Sequence, residues 1–424
     1  MTPMHIIRTL AGATLLAAAP LAAQVVAITG AKVYPVSGPA LENATVLVRD
    51  GKIAAVGANV AVPAGATRID ASGKWVTPGI FNASTSLGVT EVGQIPESYD
   101  GSAHGRGDGN TASFRVWESY NPYSPLLQVT RNDGITTVGI VPRGSLLAGQ
   151  GAVVQLGRGG ISDVLLRGPS AMYGDLGARG PVGSSRSEVF QHLRDILDDA
   201  KAWPRRRLEY ERNATRELAA RAADLQALQP VLAGTVPFVL DADRATDIQA
   251  AIDLGSQYGL RVAVSSATEG WKVADKLGAA KAFVLVGALN NIPRDFTMLG
   301  ARQDNAALLH AAGARVIISG GTDAFNARNV RYEAGVAVSF GMPWEAALRA
   351  VTLTPAELLG VSGRVGSLDV GKDATLVVWS GDPFEPATRA EQVFVRGVAV
   401  QGPSRQDELM RRYKQFPVDY KKQP

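Results

Sequence analysis

Few side chains in this sequence could do chemistry unaided. There is no cysteine, so thiolate nucleophiles and zinc–thiolate sites are excluded. Imidazole, the usual neutral-pH base and metal ligand, occurs four times, at His5, His104, His192 and His310. His192 and His310 fall in helical patterns, where surface or core roles outweigh ligation. His104 lies in the glycine-rich stretch "DGSAHGRGDGN", which reads as a solvated loop, and the RGD tripeptide there is read as loop composition. Ser170 in "GPSAMYG" lacks the second glycine of a nucleophile elbow. "GQGAVVQLGRGG" does not match a dinucleotide fingerprint. What remains is carboxylate, spread over 39 Asp and Glu positions.

Those residues need elements to hold them. Residues 25–70 read as short alternating strands, with Asp50-Gly51 a hairpin turn. The texture returns in "DATLVVWSGDP" and "EQVFVRGVAV". Two β-rich flanks around a different middle predict one small β domain assembled from both ends, over 25–72 and 366–402. Between them, over 73–365, eight apolar runs alternate with amphipathic stretches: "WVTPGIF", "ITTVGIVP", "AVVQL", "DVLL", "VPFVLDAD", "LRVAVSS", "AFVLVG" and "ARVIISGG". Repeated βα units with buried parallel strands predict an α/β fold, either a barrel or a doubly wound sheet, and eight strand candidates favour a TIM-like (β/α)8 barrel. Residues 94–125 read as a long loop over one barrel mouth. Residues 187–229 read as a solvated helical pair broken at Pro204, and 403–424 as a C-terminal tail.

The chain has 424 residues, 46% hydrophobic and 19% charged, with net charge +4 and interspersed signs, so no nucleic-acid footprint stands out. Residues 1–23 have an early Arg8, an apolar run and small residues ending at Ala23, the layout of a secretory signal peptide. No later segment reaches bilayer-spanning length. An exported, periplasmic protein without a transmembrane segment is the expectation.

The opening "ITGAKVYPVSGPALENATVLVRDGKIAAVG", the junction "IDASGKWVTPGIFNAST" and the ending "ALRAVTLTPAELLGVSGRVGSLDVGKDATLVVWSGDPF" resemble the amidohydrolase superfamily, specifically its imidazolonepropionase-like group. The resemblance implies a (β/α)8-type barrel plus a β-sandwich from both chain ends. It also implies hydrolysis of C–N bonds with zinc or another divalent metal at the C-terminal barrel mouth. The family's His-x-His pair matches Ser84 and Ser86 here. Its fifth-strand histidine matches Asp241, its sixth-strand histidine Ser265, and its eighth-strand aspartate Asp323. Its bridging lysine or glutamate has no clear match, although Gln150 and Gln155 fall in that region.

Serine hydroxyls are poor ligands for a borderline-soft ion, so no cofactor is expected: four imidazoles are replaced and one carboxylate is kept. The expected protein is a catalytically impaired homologue whose barrel binds a small molecule or a partner, such as an active amidohydrolase paralogue or a second copy. The alternative is an active hydrolase, metal-free or with a rearranged carboxylate site, on an N-acyl amino acid, dipeptide, cyclic amide or lactone. In it Asp323 is the general base and Ser84, Ser86, Asp241, Ser265, Ser266, Arg143 and His104 form the pocket.

Overall fold

In the computed structural model, which describes residues 25–103, 109–177, 183, 185–212, 214–289, 293 and 295–414, strands form where apolar residues recur at the two-residue period. Residues 1–24, which include the expected signal peptide, and His104 lie outside the described residues. Strand β1 (Val25–Val33) buries Val26 and Ile28, then Ala31 and Val33, in one cluster. The phase shift falls at Gly30, whose φ of 77° suits glycine and allows a bulge against β2 (Leu41–Arg49). Strands β3 (Lys52–Gly57), β4 (Thr67–Asp70) and β5 (Trp75–Pro78) extend this sheet. It is completed from the far end of the chain by three strands introduced below. The two ends meet where Trp75 to Pro78 pairs antiparallel with Trp379 to Leu376.

The second sheet runs in sequence order: β6 (Ile80–Thr85), β7 (Ile135–Ile140), β8 (Leu147–Gln155), β9 (Leu165–Asp175), β10 (Phe238–Ala242), β11 (Val262–Ser266), β12 (Phe283–Val286) and β13 (Arg315–Ile318). Its end strands β6 and β13 lie against each other, giving a nearly closed barrel. Both faces of most of these strands are buried, the first half of β9 excepted, which is why most read as unbroken apolar runs. Phe81, Val153, Val239, Ala263, Leu285 and Ile317 fill the interior. Their neighbours Phe238, Leu240, Val264, Val284 and Val316 face outward and pack with Leu193, Ile196 and Ile248 of the surrounding helices. The terminal sheet ends with β14 (Leu376–Trp379), β15 (Ala390–Val395) and β16 (Val398–Ala399). Trp379 is fully buried between the two sheets and donates its indole N–H to Thr77 Oγ1 at 2.9 Å.

Three local expectations need correction. β8 runs antiparallel to both β7 and β9, so the barrel is not wholly parallel. Residues 141–146 join β7 to β8 with no helix, which only an antiparallel pair permits over so short a link. Helix Arg186–Glu211 runs straight through Pro204. The carbonyl of Ala200, which Pro204 cannot reach as a donor, accepts instead from Gln229 Nε2 at 2.9 Å. That helix is also not merely solvated, since Val189, Leu193, Ile196, Leu197 and Trp203 are buried along one face. The 94–125 segment packs on β8, with Thr111 N donating to Leu147 O and Gln150 N to Phe114 O. Among the described residues no helix is long and apolar enough to cross a membrane.

Candidate functional site at the barrel mouth

Following the pleat along each strand leads from the interior core to the mouth. Val239 faces inward, so Asp241 does too; Ala263 likewise brings Ser265 and Tyr173 brings Asp175. The register sets Asp175, Asp241 and Ser265 side by side across β9, β10 and β11. These residues line a cavity of about 440 Å³. Ser84 reaches the same cavity by another route. The β6–β7 register shifts between Asn82 and Thr85, and Ser84 N donates to Asn82 Oδ1 at 3.1 Å rather than to the ladder. A second cavity of about 500 Å³ shares Asp175 and Asp241 with the first and extends toward Asp243, Asp247 and Phe296.

Five residues expected from sequence therefore converge: Ser84, Arg143, Asp241, Ser265 and Ser266. Two lie off the cavity wall. Ser86 is buried, donates its N–H to Thr322 O at 2.7 Å, and leaves Oγ without a hydrogen-bond partner. Asp323 is exposed at the rim, where it accepts from Arg143 Nη2 at 2.9 Å. Arg143 also donates to Thr322 Oγ1 at 3.2 Å and stands over the Tyr99 ring at 5.8 Å. His192 and His310 sit half-buried in helices of the outer layer.

Asp241 is the electrostatic centre. Its Oδ2 accepts from Ser265 Oγ at 2.9 Å and Ser266 Oγ at 2.6 Å. Burial pushes its carboxyl up to about 7; the Ser266 bond works against this, the neighbouring Asp175 and Asp243 charges add to it, and the Ser265 bond opposes it. The backbone beside it is unusual. Ser266 and Ala267 have φ of 67° and 45°, left-handed values that non-glycine residues rarely adopt. Tyr173 lines the cavity with its hydroxyl buried and without a hydrogen-bond partner, and burial raises its pKa.

Zinc-like ions do not fit this donor set. The hydroxyls of Ser265 and Ser266 point their protons at Asp241 rather than offering lone pairs to an ion, and Asp241 itself resists ionisation. Asp323 is turned to Arg143. Among the described residues no group of three or more His, Cys, Asp or Glu is arranged to hold a metal.

Sequence reasoning missed Asp175 and Tyr173. The fourth strand was expected at "DVLL", but β9 continues to Asp175. The apolar Met172 and Tyr173 between two glycines were the available signal. Gln150 and Gln155, considered for a bridging position, lie on the third barrel strand. Gln150 Nε2 donates to Ala112 O, and Gln155 Nε2 to Thr375 Oγ1, on the side facing the terminal sheet.

Comparison with known proteins agrees with this architecture. The amidohydrolase family profile matches residues 245–403. The amidohydrolase tasK of Hapsidospora irregularis is 24% identical over 376 residues, covering 80% of this chain but only 37% of that protein. The imidazolonepropionase of Acidiphilium cryptum (strain JF-5) is 25% identical over 383 residues, covering 81% of this chain and 89% of its own length. Among solved structures, an amidohydrolase from Thermotoga maritima MSB8 superposes with a TM-score of 0.80 at 26% identity, covering 89% of this chain and 100% of that one.

Proposed function

We propose that this chain, which belongs to the amidohydrolase superfamily and its imidazolonepropionase-like group, is an exported ligand- or partner-binding homologue that has lost metal-dependent C–N bond hydrolysis. The observation that carries this reading is the Ser84–Asp241–Ser265 constellation, which stands where the family resemblance expects imidazoles and in which Ser265 spends its proton on Asp241. Without a metal-generated hydroxide, water must be activated by a side chain alone. That route supplies about 10²–10⁴-fold, less than an amide demands. The small polar walls of the cavity support binding of a small molecule, and an active paralogue is the natural partner for such a homologue.

The test is metal content. Protein purified from zinc- and manganese-supplemented culture is expected to hold far less than one equivalent of either by mass spectrometry. Stoichiometric metal whose removal by chelator lowers the melting temperature would overturn the reading.

A second reading is favoured by Asp241. A carboxyl pushed up to about 7 on a cavity wall suits general-base work at neutral pH. It supports a metal-free hydrolase for esters or lactones, whose barriers are lower than those of amides. In that reading Asp241 takes the role that the sequence suggested for Asp323.

A further inference from the structure

We propose that Ser266 is a nucleophile, with Asp241 as its base, that accepts an acyl group from an activated ester or lactone in the barrel mouth. The proposal rests on the metal-free hydrolase reading and deepens it. Three geometric facts carry it.

First, Ser266 closes β11 in a left-handed conformation, followed by a second left-handed residue, Ala267. Each costs of order 1 kcal/mol or more relative to an ordinary strand exit. Such strain persists where surrounding structure enforces it, and a sharp, strained turn out of a strand is how a serine hydroxyl is presented to a substrate. Second, Ser266 is exposed and lines the 440 Å³ cavity, whereas Ser170, the serine flagged by its "GPSAMYG" context, is fully buried on β9. Third, Ser266 Oγ donates to Asp241 Oδ2 at 2.6 Å, within the reach required between nucleophile and base. Ser265 donates to the same oxygen and holds the carboxylate in place. Arg143 lines the same cavity, with its guanidinium paired to Asp323 at the rim.

The step balances. Ser266 Oγ attacks the ester carbonyl carbon and its proton passes to Asp241 Oδ2. The tetrahedral adduct collapses, the C–O bond to the alcohol breaks, and the leaving alkoxide takes the proton from Asp241. Water then attacks the acyl-serine with Asp241 again as base, releasing the carboxylic acid and restoring the Ser266 hydroxyl.

A fluorophosphonate probe tests this on the full-length protein. Ser266 Oγ would displace fluoride and form a P–O bond, and the modified residue is located by peptide mass spectrometry of the wild type. Label on Ser266 is expected. Asp241→Asn should slow labelling by about 100-fold or more, Ser266→Ala should abolish it, and Ser265→Ala should change it less than tenfold, all three folded by circular dichroism. No label, label at another residue, or undiminished labelling of Asp241→Asn overturns the proposal. Labelling of Ser266 without turnover of p-nitrophenyl acetate or a simple lactone would leave the nucleophile standing and remove the hydrolase reading instead.

Discussion

Asp241→Asn is expected to be more stable than the parent protein at pH 8, by about 1–3 kcal/mol, and equal to it near pH 4. The sign follows from linkage. The folded protein holds the Asp241 carboxyl up to about 7, above its ordinary value of 3.8. The folded state therefore binds a proton that the unfolded chain has released. The stability this group permits is fully present below pH 4 and is lost progressively as pH rises to 7. Asparagine never pays the cost of ionising in a low-dielectric site, so the gap between the two proteins opens above pH 4 and levels off above pH 7. Holding the carboxyl at about 7 rather than 3.8 is worth about 4 kcal/mol at full value. The carboxyl keeps partial contact with the cavity, so a smaller figure is expected. The asparagine oxygen can still accept from Ser265 and Ser266, so the hydrogen bonds do not mask the effect. Urea melts at both pH values measure it. A variant less stable than the parent at pH 8 would mean that the folded site does not hold the Asp241 carboxyl above its ordinary value.

The Asp241 environment also shows what a sequence can and cannot carry. Apolar runs marked most of the barrel strands, and the family resemblance pointed to Asp241 and Ser265 at two strand ends, although "DVLL" reached only the first two residues of β9. Strand direction leaves no such trace. "AVVQL" reads the same whether its neighbours are parallel or antiparallel, so the reversal of β8 was invisible. The extent of β9 was hidden because it is half-buried and glycine-containing at "LLRGPS", and with it went Asp175. Pro204 misled because a helix can survive a proline when a distant side chain, here Gln229, serves the abandoned carbonyl. The left-handed turn at Ser266 is written in no composition rule, since the favoured residue there would be glycine. What was legible about chemistry was a shortage of imidazole. What was not legible was the use the remaining side chains make of each other.

If the replaced side chains are the whole of the difference and the strand ends still hold the family's positions, then restoring imidazoles should create a metal site. The variant Ser84→His, Asp241→His, Ser265→His is expected to bind zinc at least 100-fold more tightly than the parent, by competition with a chromophoric chelator. Three imidazoles with an open fourth position form a competent zinc site, and the three residues line one cavity. The change also removes the carboxyl that is costly to ionise and the hydroxyl that donates to it. Ser86 is left untouched for a reason of packing. It is fully enclosed, and an imidazole there would have to displace neighbours at about 1–3 kcal/mol. Above the dissociation constant the melting temperature should rise with the logarithm of zinc concentration, because an ion that binds only the folded state stabilises it by mass action. Failure of the variant to take up zinc, while remaining folded, would place the divergence in the backbone. The β6 register shift that turns Ser84 into the cavity, or the left-handed turn that ends β11, would then have carried the ligand positions apart. The departure from the family's ligand set would in that case lie in the barrel's geometry as well as in its side chains.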